Sequence, residues 1–114
     1  MTLGEKQEQF ARMLGELLSW THERGYKLRI GEVYRPPVTA RYYAARGLGI
    51  ARSLHRLKLA VDIAYARRAN GEPLKTFEDW LPLGEYWESL GGAWGGRFRN
   101  RDVYHFSLPH RGVK

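Results

Sequence analysis

The first stretch of the chain places apolar side chains at helical spacing, with charged residues between them. The stripe consists of Phe10, Met13, Leu14, Leu17, Leu18 and Trp20. Such a stripe is the core-facing side of an amphipathic helix. Thr2 and Glu5 have the spacing of a capping box, and Gly25 follows the stripe where a helix C-terminus favours glycine. The pattern therefore predicts a helix over residues 4–24.

Three later segments alternate between apolar and polar positions, as half-buried strands do. The first covers residues 26–34 and would carry Arg35 to one end of a sheet, where two prolines stop the strand. The second and third cover residues 57–65 and 103–108. In the second segment the large apolar residues share one face, so Asp62 lies on the other face among small side chains.

Helical spacing returns over residues 79–90, and a glycine-rich loop follows over residues 91–102. Residues 38–46 fit either a short helix or an ordered loop. Because no strand–helix–strand rhythm repeats, the predicted fold class is α+β, with a small antiparallel sheet flanked by helices. A chain of 114 residues is too short to enclose two cores, so we expect one domain over residues 1–114.

Composition narrows the chemistry that is open to this chain. It has no cysteine, which excludes disulfides, thiolate nucleophiles and cysteine-bound metal sites. No apolar run approaches the ~18 residues of a membrane span, and the N-terminus lacks the pattern of a signal peptide, so we expect no stable membrane association. A formal charge of +7 favours an acidic partner, either nucleic acid or a carboxylate-rich polymer such as cell wall.

Two histidines and two aspartates are the candidates for catalysis. Asp62 interrupts an apolar strand, where a buried carboxylate is costly unless it is paired or bound to a cation. His55 precedes it by seven residues, so alternation puts His55, and Ser53 with it, in a turn or bulge before the strand. His105 repeats the anomaly on the last strand, three residues after Asp102. Two imidazoles and a carboxylate match a catalytic zinc site, and ordinary surface pairs or satisfied core residues are the alternative.

The spacing of these residues resembles a known family. Residues 53–62 read S-x-H-x-x-x-x-A-x-D and residues 102–106 read D-x-x-H-F. Together they resemble the zinc D,D-peptidases, which include VanY-type D-alanyl-D-alanine carboxypeptidases, D-alanyl-D-alanine dipeptidases and phage L-alanyl-D-glutamate endopeptidases. GEVYR at 31–35 is similar to the family's strand that ends in Tyr-Arg, and WESLGGAWGGRFRNRDVYHF at 87–106 is similar to the same stretch of phage endolysins.

The resemblance implies roles for five residues and a D,D-peptidase-like (hedgehog-type) zinc peptidase fold. His55, Asp62 and His105 take the positions of the ligands to Zn²⁺. Asp102 takes the position of the catalytic carboxylate, which exchanges protons with the attacking water and the leaving amine. Arg35 takes the position of the arginine that contacts the substrate or its developing oxyanion.

Three further positions are open to more than one interpretation. Ser53 is expected to support a ligand or to contact substrate through its hydroxyl. Trp94, between two glycine pairs, fits a lid or cleft wall that binds substrate as well as plain packing. Lys58 stands where the family usually has glycine, and alternation puts it on the Asp62 side of the strand. The geometry of that turn is therefore in question, and a contact between Lys58 and a substrate carboxylate is the alternative.

The predicted function is that of a zinc metallopeptidase that hydrolyses peptidoglycan stem peptides. The expected bond is L-alanyl–D-glutamate, cut by a monomeric endolysin of phage or prophage type. Such an enzyme waits in the cytoplasm of an infected or lysogenic bacterium and acts on the cell wall after release. Wall polymer is acidic, which suits the positive charge of the chain.

Three other functions are compatible with parts of the sequence. A D-alanyl-D-alanine carboxypeptidase would use the same motifs, because the choice of bond depends on the shape of the pocket. A basic nucleic-acid-binding module would use the basic surface and tyrosines such as Tyr42 and Tyr43, but no binding motif supports it, so we expect no nucleic-acid partner. A catalytically inactive relative would not need the complete set of ligands.

Overall fold

The computed structural model describes residues 1–46 and 53–114. Within these ranges, three α-helices, four β-strands and two short 3₁₀ helices follow one another along the chain. In chain order they are α1 (Leu3–Glu23), β1 (Lys27–Ile30), α2 (Pro37–Ala45), a first 3₁₀ helix (Leu54–Leu57), β2 (Ala60–Arg67), α3 (Phe77–Ser89), β3 (Ala93–Trp94), a second 3₁₀ helix (Gly95–Arg97) and β4 (His105–Ser107). None of the described helices is both long and apolar enough to cross a bilayer.

The four strands form one antiparallel sheet in the order β1-β2-β4-β3. Strand β2 lies at its centre and pairs with β1 on one side and with β4 on the other. Helices α1 and α3 contact each other, and α3 also packs against β3. The predicted α+β class with a small antiparallel sheet flanked by helices is therefore confirmed.

Helix α1 forms where its apolar stripe predicts it. The Thr2 hydroxyl accepts a hydrogen bond from the Glu5 N–H, and the Glu5 carboxylate accepts one from the Thr2 N–H, so the predicted capping box is present. Phe10 of the stripe is buried, and its ring meets the edge of Trp87 at a centroid distance of 5.7 Å. The positive φ of Gly25, +82°, ends the helix as expected.

Helix α3 begins earlier than the predicted 79–90. The Thr76 hydroxyl accepts from the Asp79 N–H and the Asp79 carboxylate accepts from the Thr76 N–H, which makes Thr76 the N-cap and moves the first helical residue to Phe77. The predicted apolar side is correct, since Trp80 and Trp87 are fully buried. Part of the predicted loop 91–102 is ordered as β3 and the second 3₁₀ helix.

Each of the three predicted strands is shifted or shortened at an end. The first, predicted over 26–34, ends at Ile30, and its register with β2 shifts by a residue between Arg29 and Ile30. The second starts at Ala60 because the 3₁₀ helix occupies the residues before it, and the third is confined to His105–Ser107.

Lys58 does not lie on the strand, so its predicted place on the Asp62 face is wrong. It ends the first 3₁₀ helix in the left-handed conformation, with φ 58° and ψ 38°, and its side chain is exposed. This conformation costs a residue with a Cβ roughly 1–2 kcal/mol, whereas glycine adopts it freely. The glycine that the resemblance implies at this position would adopt the same conformation without this cost.

Lys58→Gly should raise the free energy of unfolding by about 1 kcal/mol, because the strain at this position disappears and the greater freedom of glycine in the unfolded chain offsets only part of the gain. Urea unfolding would measure the change. Lys58→Ala is the control, because it also removes the ammonium group that lies 5.1 Å from the Tyr34 ring centroid but keeps the Cβ. Equal stability changes in both variants would contradict the conformational explanation.

Candidate metal centre

The first 3₁₀ helix directs His55 into the interior. The Ser53 hydroxyl accepts a hydrogen bond from the His55 N–H at 3.3 Å and so caps the helix. The His55 carbonyl in turn accepts from the Arg35 N–H at 3.0 Å, which joins this turn to the segment after β1. His55 is buried and precedes β2, as predicted from the seven-residue spacing.

Asp62 and His105 meet across the sheet. They are directly opposed partners in the antiparallel pair of β2 and β4. Opposed residues of an antiparallel pair project to the same face of the sheet. Their neighbours Val61 and Phe106 are also partners, face the other way, and are fully buried. The apolar face of the sheet therefore fixes which way the two polar side chains point.

The three predicted ligands form one cluster. The Nε2 atom of His55 lies 3.4 Å from Oδ1 of Asp62, and Nδ1 of His105 lies 3.7 Å from the same oxygen. One donor atom from each of the three residues lies within 4.8 Å of the other two. These separations allow the three donors to converge on a single ion at ordinary Zn–N and Zn–O distances of about 2.0–2.2 Å.

Hydrogen bonds on the outer side of each imidazole leave the inner nitrogen free to bind a metal. His55 Nδ1 lies 3.2 Å from the Val33 carbonyl oxygen, and His105 Nε2 lies 3.0 Å from the main-chain oxygen of Lys114. An N–H that donates to such an oxygen fixes the tautomer in which the facing nitrogen carries a lone pair. The same arrangement of imidazole and main-chain oxygen orients histidines in many metal sites.

The carboxylate of Asp62 has an oxygen that is not satisfied by hydrogen bonds from the described residues. Its Oδ1 atom is buried, and no described residue gives it a hydrogen bond of good geometry. An unsatisfied buried carboxylate oxygen is costly in a folded protein. Two imidazole nitrogens and this oxygen make a donor set that suits a divalent transition metal, so the residues present fit the metal that the sequence predicts.

The ionisation of the cluster also favours a cation. Burial raises the pKa of Asp62, but the interactions with His105 and His55 outweigh burial and hold the pKa well below its usual range. Burial lowers the pKa of His55, but Asp62, the Val33 carbonyl and Glu32 together raise it above its ordinary value. Asp62 is therefore charged at neutral pH, and protons compete with a metal for His55 as the pH falls.

A cleft of about 390 Å³ opens onto this cluster. All sequence-predicted site residues except Trp94 line it: Arg35, Ser53, His55, Asp62, Asp102 and His105. Asp102 is exposed, and its Oδ1 accepts a hydrogen bond from the Tyr104 N–H at 3.2 Å, which holds the carboxylate in a turn just before β4. A carboxylate in this position is open to solvent and to a bound substrate.

Glu32 is a site residue that the sequence analysis missed. Its Oε1 accepts a hydrogen bond from Nε of Arg35 at 2.7 Å, and it also pairs with a terminal nitrogen of the same guanidinium. The Glu32 carbonyl accepts from the Asp62 N–H at 2.8 Å, which joins this segment to β2. The E-x-x-R spacing in GEVYR was the available signal, because a residue three positions away in a tight turn can reach the guanidinium.

Trp94 is not a lid or cleft wall, so its predicted contact with substrate is wrong. The side chain is only 1% exposed, and its indole N–H donates to the Val103 carbonyl at 2.8 Å. Glycines make room for the ring, because a Cβ at Gly84 or at Gly96 would overlap it. Trp94 therefore belongs to the core and holds the segment that leads into β4. The hydroxyl of Ser53 is used as a helix cap, and its contact with substrate stays a prediction.

Two comparisons with known proteins found similarity to this chain. A family model described as D-alanyl-D-alanine carboxypeptidase matches residues 46–108, a range that contains the metal cluster and Asp102 but not Arg35. No curated protein matches the chain. Among solved structures, the Serratia marcescens L-Ala D-Glu endopeptidase ChiX has a similar fold, with a TM-score of 0.67 and 22% sequence identity over 90% of this chain and 79% of that one.

Substitution of a clustered residue should abolish tight metal binding. We expect His55→Ala and Asp62→Asn each to weaken zinc binding by more than ~100-fold, since even outer partners of metal ligands contribute ~10–100-fold. Competition with a chromogenic chelator would measure the affinity. His22→Ala is the matched control, because His22 is an exposed histidine near the end of α1. Unchanged binding in Asp62→Asn would contradict the cluster as the metal site.

Proposed function

Because the chain belongs to the peptidase family described as D-alanyl-D-alanine carboxypeptidase, we propose that it is a zinc metallopeptidase that cuts peptidoglycan stem peptides. The family model covers more than half of the chain, so the predicted resemblance is confirmed and the chain is a peptidoglycan-hydrolysing enzyme. The observation that carries the proposal is the convergence of His55, Asp62 and His105 at the base of a cleft that also contains Asp102 and Arg35.

Zinc is the proposed metal. Two imidazoles and a carboxylate with an open coordination position are a common ligand set of catalytic zinc, and the chain has no cysteine that would favour softer metals. When bound, the ion lowers the pKa of a water molecule and polarises the amide carbonyl of the substrate. His55, Asp62 and His105 would hold it, each fixed by its own element of the fold.

Asp102 is proposed as the general base and acid. Its carboxylate is exposed on the cleft, so it can accept a proton from the attacking water at a carboxylate oxygen and return that proton to the leaving amine. The Tyr104 N–H holds Oδ1 of Asp102 and thereby restricts the rotation of the carboxylate. A carboxylate held in this position transfers protons faster than a group that must first find the right orientation.

Arg35 is proposed to bind the substrate oxygen on which negative charge develops. Its guanidinium lines the cleft and is held by Glu32 through two nitrogens, so its orientation is set before substrate arrives. A preorganised cation next to a developing charge stabilises the transition state without reorganisation at the moment of reaction. Glu32 is thus a positioning residue, and Ser53 is proposed to support His55 from the neighbouring turn.

The bond we propose is L-alanyl–D-glutamate. The stretch from Trp87 to Phe106 resembles phage endolysins, and the solved structure with a similar fold is titled an L-Ala D-Glu endopeptidase. We also propose a role in lysis by a phage or prophage, in which the enzyme reaches the wall from the cytoplasm, and the charge of +7 supports attraction to acidic wall polymer. D-alanyl-D-alanine carboxypeptidase activity is the second candidate, because the matching family model carries that description.

Asp102→Asn should separate chemistry from metal binding. We expect zinc content to stay at the wild-type level and kcat to fall ~10²–10⁴-fold, the usual contribution of a positioned general base. Elemental analysis and hydrolysis of purified peptidoglycan would measure the two quantities. Glu78→Gln is the matched control, because it makes the same change of carboxylate to amide at an exposed position on α3. Full activity in Asp102→Asn would remove Asp102 from the mechanism.

Mass spectrometry of digested peptidoglycan distinguishes the two candidate bonds. Cleavage of L-alanyl–D-glutamate releases peptides with a free D-glutamate amino group and leaves L-alanine on the glycan. Carboxypeptidase activity instead releases free D-alanine and leaves the stem peptide attached. We expect the first pattern, and free D-alanine as the main product would establish the carboxypeptidase alternative.

A further inference from the structure

A second pocket is lined by several positively charged side chains. It shares no polar residue with the cleft that opens onto His55, Asp62 and His105, which we call the metal cleft. It has a volume of about 730 Å³ and lies between the start of α1, the first 3₁₀ helix and the turn at 110–113. We call it the basic pocket and define it by the four side chains Lys6, Arg56, His110 and Arg111. Leu54 and Val113 line both this pocket and the metal cleft, so the two share an apolar wall.

The charge of the basic pocket is not balanced within it. No described residue that lines it is acidic. Lys6 Nζ donates to the Pro109 carbonyl at 2.7 Å and lies 3.2 Å from Nδ1 of His110, so its recorded partners orient the ammonium without neutralising it. Burial, followed by Lys6, Arg111 and Arg56, lowers the pKa of His110, as expected for a ring among cations.

Arg56 supplies a donor that has no acceptor. Its Nε atom is buried, and within the part of the chain that the structure describes its N–H donates no hydrogen bond. Guanidinium N–H groups are rarely left unsatisfied in a folded protein, and each one that is calls for an explanation such as an absent water or ion. The unsatisfied donor belongs to a side chain that lines the basic pocket, so the Arg56 guanidinium still has capacity to bind an acceptor there.

The turn that carries Arg111 has a strained backbone, and this strain also favours a bound anion in the basic pocket. His110 and Val113 exchange two main-chain hydrogen bonds of 2.9 Å, and the residues between them have positive φ values, 48° at Arg111 and 77° at Gly112. Positive φ at both central residues is typical of a type I′ turn, which prefers asparagine or glycine in the first of them. An arginine held there at a conformational cost points to a use for its charge.

We propose that the basic pocket is a binding site for a phosphate-class oxyanion, held by Lys6, Arg56 and Arg111. Three positive side chains around a pocket whose lining has no acid suit an anion of more than one negative charge and several acceptor oxygens. Free phosphate and the phosphate group of a larger molecule share this chemistry. The proposal does not rest on the peptidase reaction, because none of these three residues is assigned a role in it.

The experiment is a titration of the zinc-loaded protein with inorganic phosphate at constant ionic strength, followed through the NMR signals of the His110 ring. We expect saturable shifts and a rise in the pKa of His110, because a bound anion offsets the surrounding cations. The rings of His55 and His105 report separately on any binding in the metal cleft. Glycerol phosphate forms a second arm: tighter binding than inorganic phosphate indicates a group on a larger molecule, and weaker binding indicates the free ion.

Arg111→Asn separates a binding role from a structural one. Asparagine suits the turn, so the melting temperature should rise while phosphate affinity falls about tenfold, the typical loss of one charge-assisted hydrogen bond. Arg12→Gln is the matched control, because it removes an exposed arginine of α1 that does not line the pocket. The proposal is overturned if His110 shows no saturable shift, or if Arg111→Asn and Arg12→Gln change the affinity equally.

Discussion

The pairing of β2 with β4 is the constraint on which the site depends. It sets Asp62 opposite His105 on one face and Val61 opposite Phe106 on the other. Because strand side chains alternate, a slip of one residue would turn the two polar groups into the core and the apolar groups into the cleft. The burial of Val61 and Phe106 therefore specifies the register, and the register assembles two of the three proposed ligands. His55 joins them from outside the sheet.

The same arrangement makes the site unfavourable without a cation. Asp62 carries its charge between two imidazoles, whose nitrogens lie 3.4 and 3.7 Å from its buried Oδ1 without making a hydrogen bond of good geometry. A bound ion that coordinates this oxygen would add stability to the folded state, since an ion that binds only the folded chain shifts the folding equilibrium. Metal uptake and the stability of the central strands are therefore coupled, and the hydrogen bonds to Val33 and Lys114 keep the rings aligned for that event.

The sequence predicts best the local features of the structure, which depend on residues close together in the chain. The stripe of α1 and its capping box are local, and the turn at His55 follows from alternation before Asp62, so each was predicted correctly. Features set by distant segments were not accessible in this way. Trp94 is buried because a glycine of α3 leaves room for its ring, and the register of β1 with β2 shifts between Arg29 and Ile30. Neither feature is visible in the residues adjacent to it.

The glycines around Trp94 have a consequence for how this protein can vary. A Cβ at Gly95 would overlap the main chain of Asp102, and the Gly95 carbonyl accepts from the Asp102 N–H at 2.9 Å. The loop that presents the carboxylate is thus seated directly on the packed interior, with no spare space beneath it. Loops of enzymes usually diverge freely and adjust specificity as they do. Here the contact between Gly95 and Asp102 restricts changes in the loop. New substrate preferences would therefore arise from other residues that line the cleft, such as those near Arg35 and Ser53.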